Sequence, residues 1–396
     1  MKRLVLLVAC GILSAVAARA GGPIRRAEEP IRDRYLVVLK PGVARNGRAA
    51  AGNAPSIASV AGELARGRGV VERLFDHVLL GFSARMPAAV AALLAADPRV
   101  DYVEEDGHMG LVATEIAPLP WGLDRIDQHL LPLSTNYSYT STGLGVTAYI
   151  IDTGIRFSHS EFAGRAVTGF DAVDGGSADD CNGHGTHVSG TVGGTTYGVA
   201  KQVTLVAVRV LDCNGSGSTS GVIAGVDWVA GDHAPGTPAV ANMSLGGGAS
   251  RALDTAVSNS IADGVSYAIA AGNGNVFGFA KNACRTSPAR VPEAMTVSAT
   301  DITDTKPIWA NYGDCVDWFA PGVGIKSAWN TSDTASNTIS GTSMATPHTT
   351  GVAALYLQSH PSATPAEVRD ALFAATTKGV VTKSRTTNNN LLFTDY

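Results

Sequence analysis

Three stretches of the sequence place proton-handling or nucleophilic side chains among glycines and small residues. Asp152 follows the apolar run Tyr149-Ile150-Ile151 and precedes Thr153-Gly154. His184 sits in Asn182-Gly183-His184-Gly185-Thr186-His187-Val188-Ser189-Gly190, and Ser343 in Ser340-Gly341-Thr342-Ser343-Met344-Ala345-Thr346-Pro347-His348. A serine hydroxyl is a weak nucleophile until a base takes its proton, and that base needs a third group to fix its tautomer. Asp152, His184 and Ser343 supply these three parts, with an imidazole that changes charge near neutral pH. A tetrahedral acyl-transfer intermediate also needs hydrogen-bond donors at its oxyanion. Asn273, closing Ala270-Ala271-Gly272-Asn273, offers a side-chain amide that can act with the backbone N–H of Ser343. Taken singly, a strand-end aspartate is a cap, a lone histidine is packing, and Gly-Thr-Ser or Ala-Ala-Gly-Asn is a helix start or a turn. The combination points to nucleophilic hydrolysis. A zinc pair of His184 and His187 is the competing use, but no glutamate base stands between them in the metalloprotease pattern.

Residues so distant in the chain must converge at one edge of a framework. From Trp121 onward, apolar β-branched runs alternate with helical stretches, the pattern of a parallel sheet covered on both faces. Residues 145–151, 204–210, 239–243, 265–270 and 295–299 read as strands, and 218–232, 250–262 and 343–359 as helices. Sheets of this kind put their sites at the strand carboxyl ends, where Asp152 and Asn273 fall. Amides at the start of the last helix favour negative charge beside Ser343. Upstream, strands at 35–39 and 100–105, helices near 48–66 and at 87–96, and an alternating segment at 77–84 make a small α+β unit.

A chain of 396 residues exceeds one small module, and 45 glycines without a triplet period suit a turn-rich globular protein. Lys+Arg 30 against Asp+Glu 34 leaves a net charge of −4, too balanced for a nucleic-acid partner. Met1-Lys2-Arg3, the apolar run that follows and Ala18-Arg19-Ala20 form a secretory signal peptide over residues 1–20. A retained membrane helix needs ~20 apolar residues, and Gly11 and Ser14 interrupt a shorter run. Leu7-Val8-Ala9-Cys10 leaves a lipid-anchored precursor as the alternative. Residues 21–30 read as a linker. Signal removal leaves Cys181, Cys213, Cys284 and Cys315, an even count that suggests disulfides in an exported chain. Three pairings exist. Sequence order favours Cys181 with Cys213 and Cys284 with Cys315, each worth roughly 3 to 4 kcal/mol on loop-entropy grounds, and no two cysteines have zinc-ligand spacing.

The segments Ile151-Asp152-Thr153-Gly154, Gly183-His184-Gly185-Thr186-His187-Val188, Ala271-Gly272-Asn273 and Gly341-Thr342-Ser343-Met344-Ala345-Thr346-Pro347-His348 resemble those of the subtilisin-like serine proteases. Pro120-Trp121-Gly122-Leu123-Asp124-Arg125-Ile126-Asp127, Val210-Leu211-Asp212-Cys213-Asn214-Gly215-Ser216-Gly217-Ser218 and Asn242-Met243-Ser244-Leu245-Gly246-Gly247-Gly248 are similar to the proteinase K family, most closely its aqualysin-like members. The likeness covers nearly all of 119–396, and residues 31–109 resemble the inhibitory propeptide of such enzymes.

The resemblance implies an α/β fold, the subtilisin-like three-layer sandwich with a mostly parallel sheet, preceded by a small α+β propeptide domain. It implies a propeptide over 21–113 that assists folding and inhibits its own catalytic domain, 114–396, with a cut near Ala113-Thr114 and Leu111-Val112-Ala113 lying like a product in the cleft. Gly215, Ser216 and Gly217 then pair with substrate backbone, and Ser244, Leu245 and Gly246 form the opposite wall. Ala270, Ala271 and Gly272 line a specificity pocket with no fixed charge evident in it, so cleavage after apolar or aromatic residues is expected. The cysteine spacing resembles the aqualysin-like pattern and supports the two local pairs. No catalytic cofactor is implied, but structural calcium is. The likeness places it on the Pro292 and Ala294 carbonyls and the Asp317 carboxylate, and the oxygen-bearing set Asp124, Asp127, Gln128, Ser134 and Asn136 is a second candidate, otherwise a capped turn. Departures from the pattern are the longer, apolar stretch Val276 to Phe279 and the residues Ser189, Thr349 and Thr350. The reading is a secreted, monomeric endopeptidase acting on proteins or peptides, with its propeptide as intramolecular inhibitor. A non-catalytic peptide-binding relative or inhibitor-like carrier is the competing class.

Overall fold

The computed structural model describes residues 24–26, 30–45, 54–75, 80–107, 113–116, 120–274 and 279–396. The expected signal peptide with Cys10, most of the linker, Leu111-Val112 and Val276-Phe277-Gly278 lie outside the described residues. So do the early part of the Ala-rich helix and the first residues of the alternating segment. No helix among the described residues is long and apolar enough to cross a membrane. The chain divides into two units, Met1–Met109 and Gly110–Tyr396.

The first unit runs β1 (Pro30–Leu39), α1 (Ile57–Ala65), β2 (Val70–Phe75), β3 (Gly81–Arg85), α2 (Ala88–Ala95) and β4 (Val100–Gly107). Its strands form one antiparallel sheet in the order β2-β3-β1-β4. Val37, Phe82 and Val103 from the sheet pack with Val60, Leu64 and Leu94 from the two helices. The Ser56 hydroxyl accepts the Ser59 N–H and starts α1. β2 is an addition to the sequence reading: charge interrupts its apolar pattern, and Val70 and Leu74 are exposed.

The second unit contains β5 (Ala113–Ile116), α3 (Trp121–Ile126), β6 (Asn136–Tyr139), β7 (Thr147–Asp152), β8 (Ala166–Asp171), α4 (His184–Gly193), β9 (Thr204–Arg209), α5 (Thr219–Asp232) and β10 (Ala239–Met243). It continues with β11 (Gly247–Gly248), α6 (Arg251–Ala262), β12 (Ser266–Ala270), β13 (Thr286–Ser287), β14 (Met295–Thr300), β15 (Trp318–Pro321), β16 (Ile325–Ala328), β17 (Ser336–Ile339), α7 (Thr342–Ser359) and α8 (Pro365–Ala375). Seven strands make a sheet in the order β15-β14-β12-β10-β7-β9-β8, and every pairing in it is parallel. The order reverses around β7, so the loops after β7 and β10 part there, the position at which open parallel sheets build sites.

Side-chain alternation explains the three layers. In β7, Ala148 and Ile150 face one core while Tyr149 and Ile151 face the other; in β9, Leu205 and Ala207 oppose Val206 and Val208. Helices α4, α7 and α8 cover the first face through Val188, Val352, Leu355 and Leu372, and α5 and α6 cover the second through Val226, Val229 and Val257. Disulfides join Cys181 to Cys213 and Cys284 to Cys315. Truncating the fully buried Leu355 to alanine removes about 2 to 5 kcal/mol of stability, to be measured by denaturant unfolding with an active-site inhibitor present.

Candidate active site

Asp152 ends β7 with no solvent exposure. Its Oδ1 accepts the Thr153 N–H at 2.8 Å and lies 2.7 Å from His184 Nδ1, while its Oδ2 is buried without a partner. An ionised carboxylate only accepts, so Nδ1 carries the proton and Nε2 is left as the base. Burial alone pushes the His184 imidazole down in pKa, but the charge of Asp152, the hydrogen bond to it and the charge of Asp180 outweigh burial and hold it above the ordinary value.

The loop before His184 is organised by a carboxylate that the sequence reading passed over. Asp180 Oδ1 accepts from the Thr153 hydroxyl and from the Asn182 and Gly183 N–H groups, each at 2.9 Å. Its Oδ2 accepts the Thr186 N–H at 2.9 Å and hydroxyl at 2.6 Å. Asp-x-Asn-Gly before the histidine was the available signal, since aspartate side chains close such turns. Gly185 is required by contact: a Cβ there would stand 2.1 Å from the Gly154 carbonyl oxygen.

Ser343 is the second residue of α7, where helical N–H groups have no intrahelical acceptor. Pro347, one turn later, has no N–H to give the Ser343 carbonyl; the Ser244 hydroxyl donates to that carbonyl instead, at 2.8 Å. Ser343 Oγ donates to the Ser244 carbonyl at 3.1 Å. No hydrogen bond joins it to His184 Nε2, contrary to the simplest sequence expectation. Both face one cleft, whose two lobes share Ser244 to Gly248. Asn273 is oriented by Thr342, whose N–H and hydroxyl donate to Asn273 Oδ1 at 2.8 and 2.9 Å. A backbone N–H can only donate, so Oδ1 is fixed there and Nδ2 is free for an oxyanion. The Thr342 hydroxyl also accepts the Gly272 N–H at 3.0 Å, tying the β12 loop to α7.

One lobe, of about 540 Å³, is lined by His184, Gly215, Ser216 and Gly217 with Ser244, Leu245 and Gly246. The other, of about 910 Å³, is lined by Ala270, Ala271, Gly272, Asn273 and Ser343, and by Ala289 and Thr286. Asn311 builds its wall: Nδ2 holds the Ala271 carbonyl at 2.7 Å, and Oδ1 accepts the N–H groups of Gly274 and Lys281. Gly272 has φ +96, and a Cβ on it would meet Asn311. The expectation of no fixed charge here needs correction, because Lys281 and Arg285 also line this lobe.

The two calcium candidates differ. Asp317 Oδ1 is held by the Arg369 guanidinium at 2.5 and 3.1 Å, and Oδ2 accepts the Thr296 N–H at 2.7 Å. Arg369 pairs with that carboxylate, which leaves no orphaned side-chain oxygen in the set with Pro292 and Ala294 to mark a calcium ion. In the second set Asp127 Oδ1 is buried without a partner, and burial together with the Asp124 charge pushes this carboxyl up to about 6. Asp124 accepts from Ser134 and Thr135, Gln128 Oε1 accepts the Ser134 N–H at 2.9 Å, and the Ser134 hydroxyl accepts from Asn136 N–H. An orphaned, buried carboxylate oxygen beside a second carboxylate and neutral oxygens fits a hard cation. Among the described residues no group of three or more acidic, histidine or cysteine side chains is placed to hold a metal ion, and this set has only two carboxylates.

Comparison with known proteins shows the family to which the chain belongs. The subtilase family model matches residues 143–392, and the peptidase inhibitor I9 model matches residues 34–111. The chain is 57% identical over 328 residues to an extracellular serine proteinase of Thermus sp. (strain Rt41A), covering 82% of this chain and 78% of that one. It is 54% identical over 329 residues to alkaline serine exoprotease A of Vibrio alginolyticus, 82% of this chain and 60% of that one. A crystal structure of a cold adapted subtilisin-like serine proteinase superposes with a TM-score of 0.67 at 55% identity, covering 70% of this chain and 98% of that one.

A base must be neutral to act, so kcat/KM for a peptide substrate should fall as pH drops through a midpoint above the ordinary histidine value of 6.5. In Asp152→Asn that midpoint should move down and the rate should fall about 10⁴-fold, the scale known for other serine-protease triads. An unmoved midpoint would remove Asp152 from the role.

Proposed function

The chain belongs to the subtilase family, and we propose that this serine endopeptidase is secreted as a self-processing zymogen in which Ser343 attacks, His184 carries the proton, Asp152 orients it and Asn273 receives the oxyanion. The short Asp152–His184 hydrogen bond, set in the same cleft as a helix-start serine, carries the reading. The reaction requires Oγ to leave the Ser244 carbonyl and give its hydrogen bond to His184 Nε2. As Oγ adds to the scissile carbonyl, Nε2 takes its proton and the carbonyl oxygen becomes an anion. The Ser343 N–H and Asn273 Nδ2 donate to that anion. Collapse breaks the C–N bond, His184 protonates the leaving amine, and water then repeats the sequence on the acyl-enzyme.

Substrate backbone adds beside Gly215, Ser216 and Gly217 on one side and Ser244, Leu245 and Gly246 on the other, so recognition is broad. The small apolar walls Ala270, Ala271, Gly272 and Ala289 favour apolar or aromatic residues at P1, the position before the cut. The I9 domain acts as the inhibitor of its own enzyme, with signal peptide 1–20, propeptide 21–113 and catalytic domain 114–396. A cut near Ala113-Thr114 would fall at the start of β5, which pairs with β6 inside the second unit. A relative named as an extracellular proteinase supports secretion. No catalytic cofactor takes part. Structural calcium would be held by Asp124, Asp127, Gln128, Ser134 and Asn136, supplying the positive charge that the orphaned Asp127 oxygen lacks.

Two experiments follow. A fluorophosphonate probe should label the mature protein on Ser343; Ser343→Ala should take no label and remain at precursor size, and labelling of that variant would refute the assignment. Chelation should lower the melting temperature of the wild type, whereas Asp127→Asn should melt lower already and respond little to chelator. An unchanged wild-type melting temperature would dismiss the calcium site.

A further inference from the structure

The larger lobe carries a charge pattern that the apolar reading of its walls does not use. Lys281 and Arg285 line it, both exposed, and among the described residues no carboxylate does. Neither side chain has an ion-pair partner among the described residues. The smaller lobe, by contrast, is lined by neither lysine nor arginine.

Both cations stand on backbone tied to the pocket wall. The Lys281 N–H donates to Asn311 Oδ1 at 2.7 Å and its carbonyl accepts the Tyr312 N–H at 3.1 Å. Arg285 ends a single 3₁₀ turn, Ala283–Arg285, capped by Asn282 and fixed by the Cys284–Cys315 disulfide. Tyr312, on the same wall, has the Arg385 guanidinium 3.9 Å from its ring centroid. Positive charge is thus concentrated around one pocket of a chain whose net charge is −4.

Taking this lobe as the P1 pocket, as the proposed function does, we propose that Lys281 and Arg285 are specificity-determining residues that admit a carboxylate-bearing P1 side chain, glutamate above all, and disfavour lysine and arginine. A glutamate shares its shape with glutamine, so charge alone separates the two. Exposed ion pairs are weak, but a bound peptide covers the cleft and lowers the local dielectric, which strengthens them. Salt screens what remains exposed.

The test uses peptides identical except for Phe, Glu, Gln or Lys at P1, with the mature enzyme at low and high salt. At low salt kcat/KM for Glu should exceed that for Gln by about threefold or more, with Lys below Gln. The Glu-to-Gln ratio should fall toward one in ~1 M salt and in a Lys281→Gln/Arg285→Gln variant. Each ratio is internal to one preparation, so a variant that folds poorly still reports it. A wild-type ratio at or below one, or a ratio indifferent to both salt and the substitutions, overturns the charged pocket. Cleavage of the Phe peptide alongside such a result leaves the proteolytic reading intact; failure to cleave any of the four peptides overturns that reading itself.

Discussion

A carboxylate with no access to water, at the end of a strand inside the parallel sheet, sets the terms for everything around it. Burying a charge costs several kcal/mol unless partners replace its hydration. Asp152 has two, the Thr153 N–H and His184 Nδ1, and one oxygen left with none. The imidazole therefore cannot swing away without stranding that charge. Helix α4 has to begin where it does, close enough to the β7 loop that only glycine fits at 185. Asp180 serves the same geometry from outside, binding the loop before His184 and the helix after it with four hydrogen bonds and the Thr153 hydroxyl after β7 with a fifth.

The serine side is built by the opposite device, a missing donor. Proline at 347 leaves the Ser343 carbonyl without its helical partner, and the Ser244 hydroxyl from the β10 loop fills the gap. Thr342 joins the same helix start to the β12 loop through Asn273 and Gly272. The loops after two strands that neighbour each other in the sheet are thus coupled to one helix turn by side-chain hydrogen bonds.

Most of the framework was legible because its periodicity is strong. The run 239–243 matches β10, and the readings near β7, β9, β12, β14, α5, α6 and α7 differ from the structure by at most two residues at either end. Among the elements that escaped were β8, whose residues are exposed or half-buried at four of six positions, β15, only four residues long, and the 11-residue helix α8. At the site, residue type and flanking glycines marked Asp152, His184, Asn273 and Ser343. Asp180 escaped although its signal was local, because aspartate closes turns of this kind anywhere in a chain; Asn311 and Thr342 escaped because their hydrogen bonds reach groups 30 to 70 residues away, which no spacing reveals. Lys281 and Arg285 were invisible for a similar reason, since the folding of the β12–β13 connection brings them to the pocket. The Arg369–Asp317 pair spans 52 residues and likewise left no local trace.

The bond from Ser244 to the Ser343 carbonyl has a consequence for how such a molecule ages in heat. An ordinary helical carbonyl is secured by the cooperative ladder of its own helix, whereas this one hangs on a single hydroxyl from a surface loop. Loosening that loop is a local opening that leaves the buried body of α7 intact. Loss of hydrolytic competence by this route would be an early fraying event, separable from collapse of the sheet, with function ending at a temperature below that of melting.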